Sequence, residues 1–414
     1  MREHFGAQLH ARAPAAWQAA HGRLYAYYTA QAMELPDTIE DMAPLYAAVG
    51  HGCQAGKHQE VFEAVYRKRI QRGEEFFSTR KLGAFGADLA AVAQFFALPW
   101  SQPVAALTAG AQAWLLNIAG FRLRALGRLR EAMPPMQAGL QARIAQEDWR
   151  NAAIAAGNLS ELALTLGDLA LAQTYAAQSV TLADHSQDAF MRMVNRTALA
   201  DALHQAGQPE QAEAAFREAE ALQQERQPHY PWLYSLAGFQ YCELLLSQGQ
   251  VAEVQRRATQ TLDWATQAGA SLLNIALGHL TLGRAVLQAH LQDRRTPHAA
   301  ASAHLQQAVD GLRQAGTQHH IPRGLLARAA LYRVQGAFPQ AQRDLDEAMT
   351  IATRGAMGLH QADAHLEYAR LHLALGETAK ARHSLETARA MIERMSYHRR
   401  DAEVAELEAQ LAGA

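Results

Sequence analysis

The sequence predicts an all-α protein, an α-solenoid of stacked antiparallel helical hairpins, and three observations carry that prediction. Alanine, glutamine and leucine supply much of a 414-residue chain that is 49% hydrophobic, a helix-former's composition in which Val, Ile and Thr runs are scarce. Glycines recur as turn markers about 40 residues apart. After each of them alanines and a large apolar residue return at fixed offsets, the signature of a repeated unit.

Residues 1–105 are expected to form a helical region that caps the array and continues into it. Within it, "GHGCQAGKHQE" at residues 50 to 60 invites comparison with a phosphate-binding loop. Five residues separate Gly50 from Gly56 where a P-loop has four, and His58 stands where the magnesium-binding hydroxyl belongs. Three residues lie between Gly52 and Gly56 where a dinucleotide fingerprint has two. The stretch instead aligns with "HQAGQPEQAEAAFREAE", Gly56 on Gly207, Val61 on Ala212 and Val65 on Phe216, and so reads as a turn between two helices. Residues 73–104 depart from the repeat offsets. They are expected to be helices packed on the first repeats with a loop at Leu98-Pro99-Trp100, and Phe76, Phe77, Phe95 and Phe96 read as their core.

Residues 106–395 hold the repeats. Turn positions fall at Gly127, Gly167, Gly207, Gly249, Thr296, Gly336 and Gly376, spaced 40, 40, 42, 47, 40 and 40 residues apart. After Gly207 come Ala212, Phe216 and Ala219, offsets that share one helical face. Glycine ends the first helix of each unit by taking the left-handed conformation. Pro209 and Pro339 suit the first turn of the second helix. One hairpin cannot bury its own apolar face, so stacking must supply the core. Residues 396–414 are expected to be a capping helix.

The glycine, alanine, large apolar, alanine pattern resembles the second half of the tetratricopeptide repeat, with the period stretched as in long-repeat bacterial activators. The resemblance covers roughly residues 110–395; Trp114 is the clearest match to the early tryptophan, and "LQDRRTPH" is an insertion. A second resemblance rests on "REHFGAQL", "AWQAAHGRLYAYY" and "PLYAAVGHGCQAGKHQEVFEAVY". These are similar to the junction between a winged-helix domain and helical repeats in bacterial STAND ATPases of the NACHT type. The resemblance implies the sensor part of such a protein, partnered by an ATPase module normally N-terminal to it; neither Walker motif is present here.

Composition and motifs exclude much else. A formal net charge of −2 gives no general attraction to nucleic acid or anionic membrane, so neither is an expected partner. No apolar run approaches a membrane span and the N-terminus lacks an apolar signal core, so a cytoplasmic location is expected. Cys53 and Cys242 form no CxxC pair and read as buried thiols. The nineteen histidines show no HExxH spacing. His319 and His320, if helical, would point about 100° apart and could not easily share a metal; isolated, solvated histidines are the expectation. No GxSxG elbow or Cys-His pair stands out. Catalysis, cofactor and metal are therefore not expected. The basic clusters at 67–72, 122–130, 294–295 and 399–400 read as solvated or structural.

Binding is expected on the first helix of each hairpin, which in such arrays lines the concave groove. By the tetratricopeptide resemblance, inward positions lie ten, six and three residues before each turn glycine. These are Asn117, Phe121 and Arg124; Glu161; Thr197, Asp201 and His204; Phe239 and Glu243; Arg333; and Arg370. Aromatic anchors, arginines and carboxylates in one groove suit a folded or extended protein ligand. The expected function is a non-catalytic sensor domain that binds a protein and relays the event to a STAND-type nucleotide-switched module in signalling or antiviral defence. A free-standing adaptor and a small-molecule-sensing part of a transcriptional regulator are the alternatives.

Overall fold

The computed structural model describes residues 2–293 and 299–413; the turn position at Thr296 and the Arg294-Arg295 pair lie outside them. The chain divides into two compact units, Met1–Leu123 with Pro134–Ala142, and Arg124–Met133 with Arg143–Ala414.

The first unit contains α1 (Arg2–Arg12), α2 (Pro14–Gln31), α3 (Ile39–Gln54), α4 (His58–Val61, continued as a π-helix over Phe62–Ile70), α5 (Phe77–Arg80) and α6 (Phe85–Ala93). α7 (Ala109–Ala125) and α8 (Leu129–Ala145) are shared between the units. Gly56, at φ +78°, closes the α3–α4 turn. A Cβ on Gly52 would lie 2.3 Å from Val61 Cγ2, so this glycine lets two helices approach closely. Arg69, from the basic cluster at 67–72, is buried and donates to the carbonyls of Thr29, Ala32 and Met33 around the end of α2. Phe95 and Phe96 are core residues, and Phe76 packs against the same core, stacked on Trp114. The expected helices across 73–104 are interrupted by a small antiparallel ladder, β1 (Phe96–Leu98) and β2 (Gln102–Pro103), with Trp100 at φ +65° between them. Pro99 and Pro103 lack the N–H that a continuing helix requires.

The second unit stacks hairpins in chain order: α9 (Trp149–Leu166) with α10 (Leu169–Ser186), α11 (Ala189–Gln205) with α12 (Pro209–Arg226), and α13 (Ser235–Ser247) with α14 (Val251–Gln267). Then come α15 (Leu272–Gln292) with α16 (Ala299–Gln314), α17 (Ile321–Val334) with α18 (Phe338–Arg354), and α19 (Gly358–Ala374) with α20 (Thr378–Met395). Each helix packs on the next, and α21 (Asp401–Ala412) covers the last pair. The turn glycines 167, 207, 249, 336 and 376 all have φ between +73° and +90°. Pro209 and Pro339 sit in the first turns of α12 and α18. Ala212, Phe216 and Ala219 are fully buried, and Phe216 stacks on Tyr241 at 4.8 Å. Where proline is absent, Asp148, Asp168 and Asp188 cap α9, α10 and α11 by accepting backbone N–H groups.

The last hairpin of this unit meets the first. Leu359, Leu366, Leu385 and Leu407 share a core with Ala163, Leu164 and Ala202. Met395 packs on Gly167 and His398 on Gly207. The inner faces of the first helices thus enclose space between them.

Candidate functional site

That space is a cavity of about 890 Å³, walled by α9, α11, α13, α15, α17 and α19 and by the segment from Tyr397 to Gln410. Inward residues follow a rule of local geometry: on α13, α15, α17 and α19 they include those eight and four positions before the helix end. The wall carries seven carboxylates and six arginines, an almost balanced set.

Most of these charges hold one another. Glu243 accepts from Arg284 and, at 3.1 Å, from Arg399. Burial would raise its pKa, but the two guanidiniums hold it well below the usual carboxylate range. Glu367 accepts from Arg333 at 2.5 Å and from Arg370 at 3.2 Å. Arg370 and Arg400 both donate to Glu403, whose pKa is likewise depressed against the pull of burial. Arg400 also reaches Asp363 at 2.8 Å, and Asp363 accepts the Tyr397 hydroxyl at 3.2 Å. Asp201 takes hydrogen bonds from Gln205 and Gln240; burial raises its pKa.

Arg323 differs. Half-buried on the wall, it lies 5.4 Å over the Phe239 ring and makes no ion pair among the described residues. The other five arginines of the wall are all ion-paired.

Of the residues expected from sequence, Glu161, Asp201, Phe239, Glu243, Arg333 and Arg370 line this cavity. Arg124 is buried beside it, donating to Glu161 at 2.7 Å. Thr197 and His204 are buried instead, the first bonded to the Val194 carbonyl and the second 3.2 Å from Ser247 Oγ. Asn117 and Phe121 belong to the other unit. The structure adds Arg284, Arg323, Asp363, Arg399 and Arg400. Arg323 and Asp363 stand thirteen residues before their turn glycines, one helical turn beyond the offsets considered. Arg284 was hidden by the insertion after α15, which displaces the turn position from the helix end.

The histidine expectation is corrected. His204, His319, His320 and His360 are buried, at 2%, 3%, 1% and 6% exposure, and are not solvated. His319 and His320 lie in the turn before α17, where the 100° helical separation does not apply; their rings sit 4.2 Å apart. Among the described residues no helix is long and apolar enough to cross a membrane.

No family model and no curated relative matches the sequence. Solved structures do match. The Rap conjugation gene regulator of plasmid pLS20, in complex with the Phr* peptide, has a TM-score of 0.55 at 9% identity over 91% of this chain and 95% of that one. A human IFIT1 dimer with PPP-AAAA gives 0.48 at 13% identity over 94% and 84%. The STAND protein with a tetratricopeptide repeat sensor from Pyrococcus horikoshii gives 0.43 at 14% identity, over 95% of this chain and 63% of that one. Identities this low speak to fold alone. Taken with the stacked hairpins and their glycine turns, the likeness to the Rap regulator makes this an all-α protein built of tetratricopeptide-like helical repeats.

Proposed function

We propose that the second unit is a non-catalytic recognition module that takes a short, extended segment of a protein ligand into its cavity. The observation that carries this reading is Arg323 over Phe239: a guanidinium without an ion pair, backed by an aromatic ring, in a wall whose other arginines are paired. Such a group suits a ligand carboxylate, which it can engage bidentately without breaking an existing pair. The cavity lies within the roughly 300–1,000 Å³ of small-ligand sites, so it fits a peptide segment better than a folded domain. Balanced wall charge gives a polyanion no net attraction. The Rap regulator, which shares the fold, is in complex with a peptide.

Peptide libraries with free C-terminal carboxylates, screened by calorimetry against the wild type and Arg323→Glu, test this. Binding that falls at least tenfold in the variant supports the reading. Binding indifferent to Arg323, or a preference for a single-stranded RNA oligonucleotide included as a competitor, overturns it. We extend the proposal to a relay: ligand binding would favour one conformation of this array and so bias a STAND-type ATPase partner, as the N-terminal resemblance implies. Nucleotide turnover by such a partner, measured with and without the ligand-loaded chain, tests that step.

A further inference from the structure

We propose that Glu161, His319 and His320 form a binding site for one divalent transition-metal ion, Zn(II) in the first place. The Nε2 atoms of His319 and His320 lie 4.0 and 3.8 Å from Glu161 Oε1, and the three residues offer ligand atoms all within 4.8 Å of one another. In a tetrahedral site with bonds of about 2.0–2.1 Å, ligand atoms stand about 3.4 Å apart, so small side-chain rotations close the set. Two imidazoles and a carboxylate, with no sulfur, suit Zn(II), Co(II) or Ni(II) over softer ions.

The surroundings leave these histidines unexplained by any structural role of their own. Among the described residues neither ring nitrogen of His319 has a hydrogen-bond partner of normal geometry, and neither does Nδ1 of His320, although both residues are almost wholly buried. Buried polar atoms are normally paired, and an orphaned nitrogen costs free energy that a metal bond would recover.

A second shell is present as well. Arg124 holds Glu161 Oε2 at 2.7 Å, leaving Oε1 for the histidines. His360 Nε2 donates to the His319 carbonyl at 3.1 Å and fixes the turn. Two cations, Arg124 and Arg323, act on the cluster, and the Glu161 carboxylate, paired with Arg124, offsets part of their charge. Because Glu161 also lines the cavity, a fourth position would open toward it for water or a ligand group. The metal site stands on these residues and not on the peptide reading.

The test uses the full chain, stripped with a chelator and dialysed against Zn(II) or Co(II). One equivalent should be retained, with the visible d–d absorption of low-coordinate Co(II) and no thiolate charge-transfer band. His320→Gln and Glu161→Gln should each weaken binding by about 10-fold to 100-fold. His21→Gln and His304→Gln should leave binding unchanged, although their rings form the close pairs His21–His51 and His279–His304. If the site variants fail to fold, the wild-type stoichiometry and spectrum still decide. No retained metal, a thiolate band, or loss of metal in the His21 or His304 variants overturns the proposal.

Discussion

His204 is buried against Ser247, and its pKa is driven far below 6.5 first by burial and then by the Arg399 charge. The unfolded chain takes up a proton at this residue as pH falls through about 6.5, while the folded chain does not. Stability therefore declines on acidification by up to about 1.4 kcal/mol per pH unit from this one group, until its folded pKa is reached. His204→Gln should flatten the dependence of urea unfolding on pH between about 6 and 5; an unchanged slope would show that His204 is protonated in the folded state. Glu243 and Glu403, with depressed folded pKa values, act in a lower window: their stabilisation is complete above about 4.5 and is lost as pH falls below it. In the first unit, Asp88 is fully buried and accepts from Arg122 at 2.6 Å, Tyr66 at 3.0 Å and Ser78 at 3.0 Å. Asp88→Ala strands the Arg122 guanidinium in the core, and a loss of about 3–5 kcal/mol is expected in urea unfolding. A loss below about 1 kcal/mol would mean that water reaches Arg122 in the variant.

Among the elements, the turn glycines are not equivalent. Gly207 and Gly376 have nearly the same φ, +76° and +74°, so alanine costs each the same left-handed strain, about 1 kcal/mol. A Cβ on Gly376 meets nothing within 4 Å, whereas on Gly207 it would lie 2.6 Å from His398 Cβ. Gly207→Ala should therefore destabilise by about 1–3 kcal/mol more than Gly376→Ala, through overpacking against the C-terminal segment. Equal effects in the two variants would show that this segment yields freely. The contrast also marks what sequence could convey. The helix pairs, their turns and the buried Ala-Phe-Ala face were legible because each is set by spacing within one hairpin. The partner of Gly207 was not, since His398 is nearly two hundred residues away and no local pattern announces it. The same holds for the cavity: Phe239 and Glu243 follow from counting back from Gly249, but Arg399 arrives from a segment with no repeat pattern at all. His319 and His320 lie in a turn and are buried, which their spacing alone does not convey.

At the largest scale, the second unit closes through contacts between its ends. Arg399 donates to Gln205 and to Glu243, at 3.1 Å each, across 194 and 156 residues of sequence. Arg400, the next residue, ties Asp363 to Glu403. These bonds are largely buried, so salt screens them weakly, and removing one partner leaves a carboxylate desolvated and underpaired. Because the array is otherwise held by neighbour-to-neighbour stacking, losing the closing contacts should loosen its ends without melting each hairpin. The double variant Arg399→Ala, Arg400→Ala should speed hydrogen exchange at least tenfold, equivalent to about 1.4 kcal/mol, in α11, α19 and α21. α16 and α18, which make none of these closing contacts, should exchange as in the wild type. A uniform acceleration in every helix would mean that the unit opens only as a whole, and that the Arg399 segment holds up the entire array and not merely its ends. Unchanged exchange throughout would show that the shared apolar core of the first and last hairpins closes the unit by itself, the arginines then serving the cavity and not the fold.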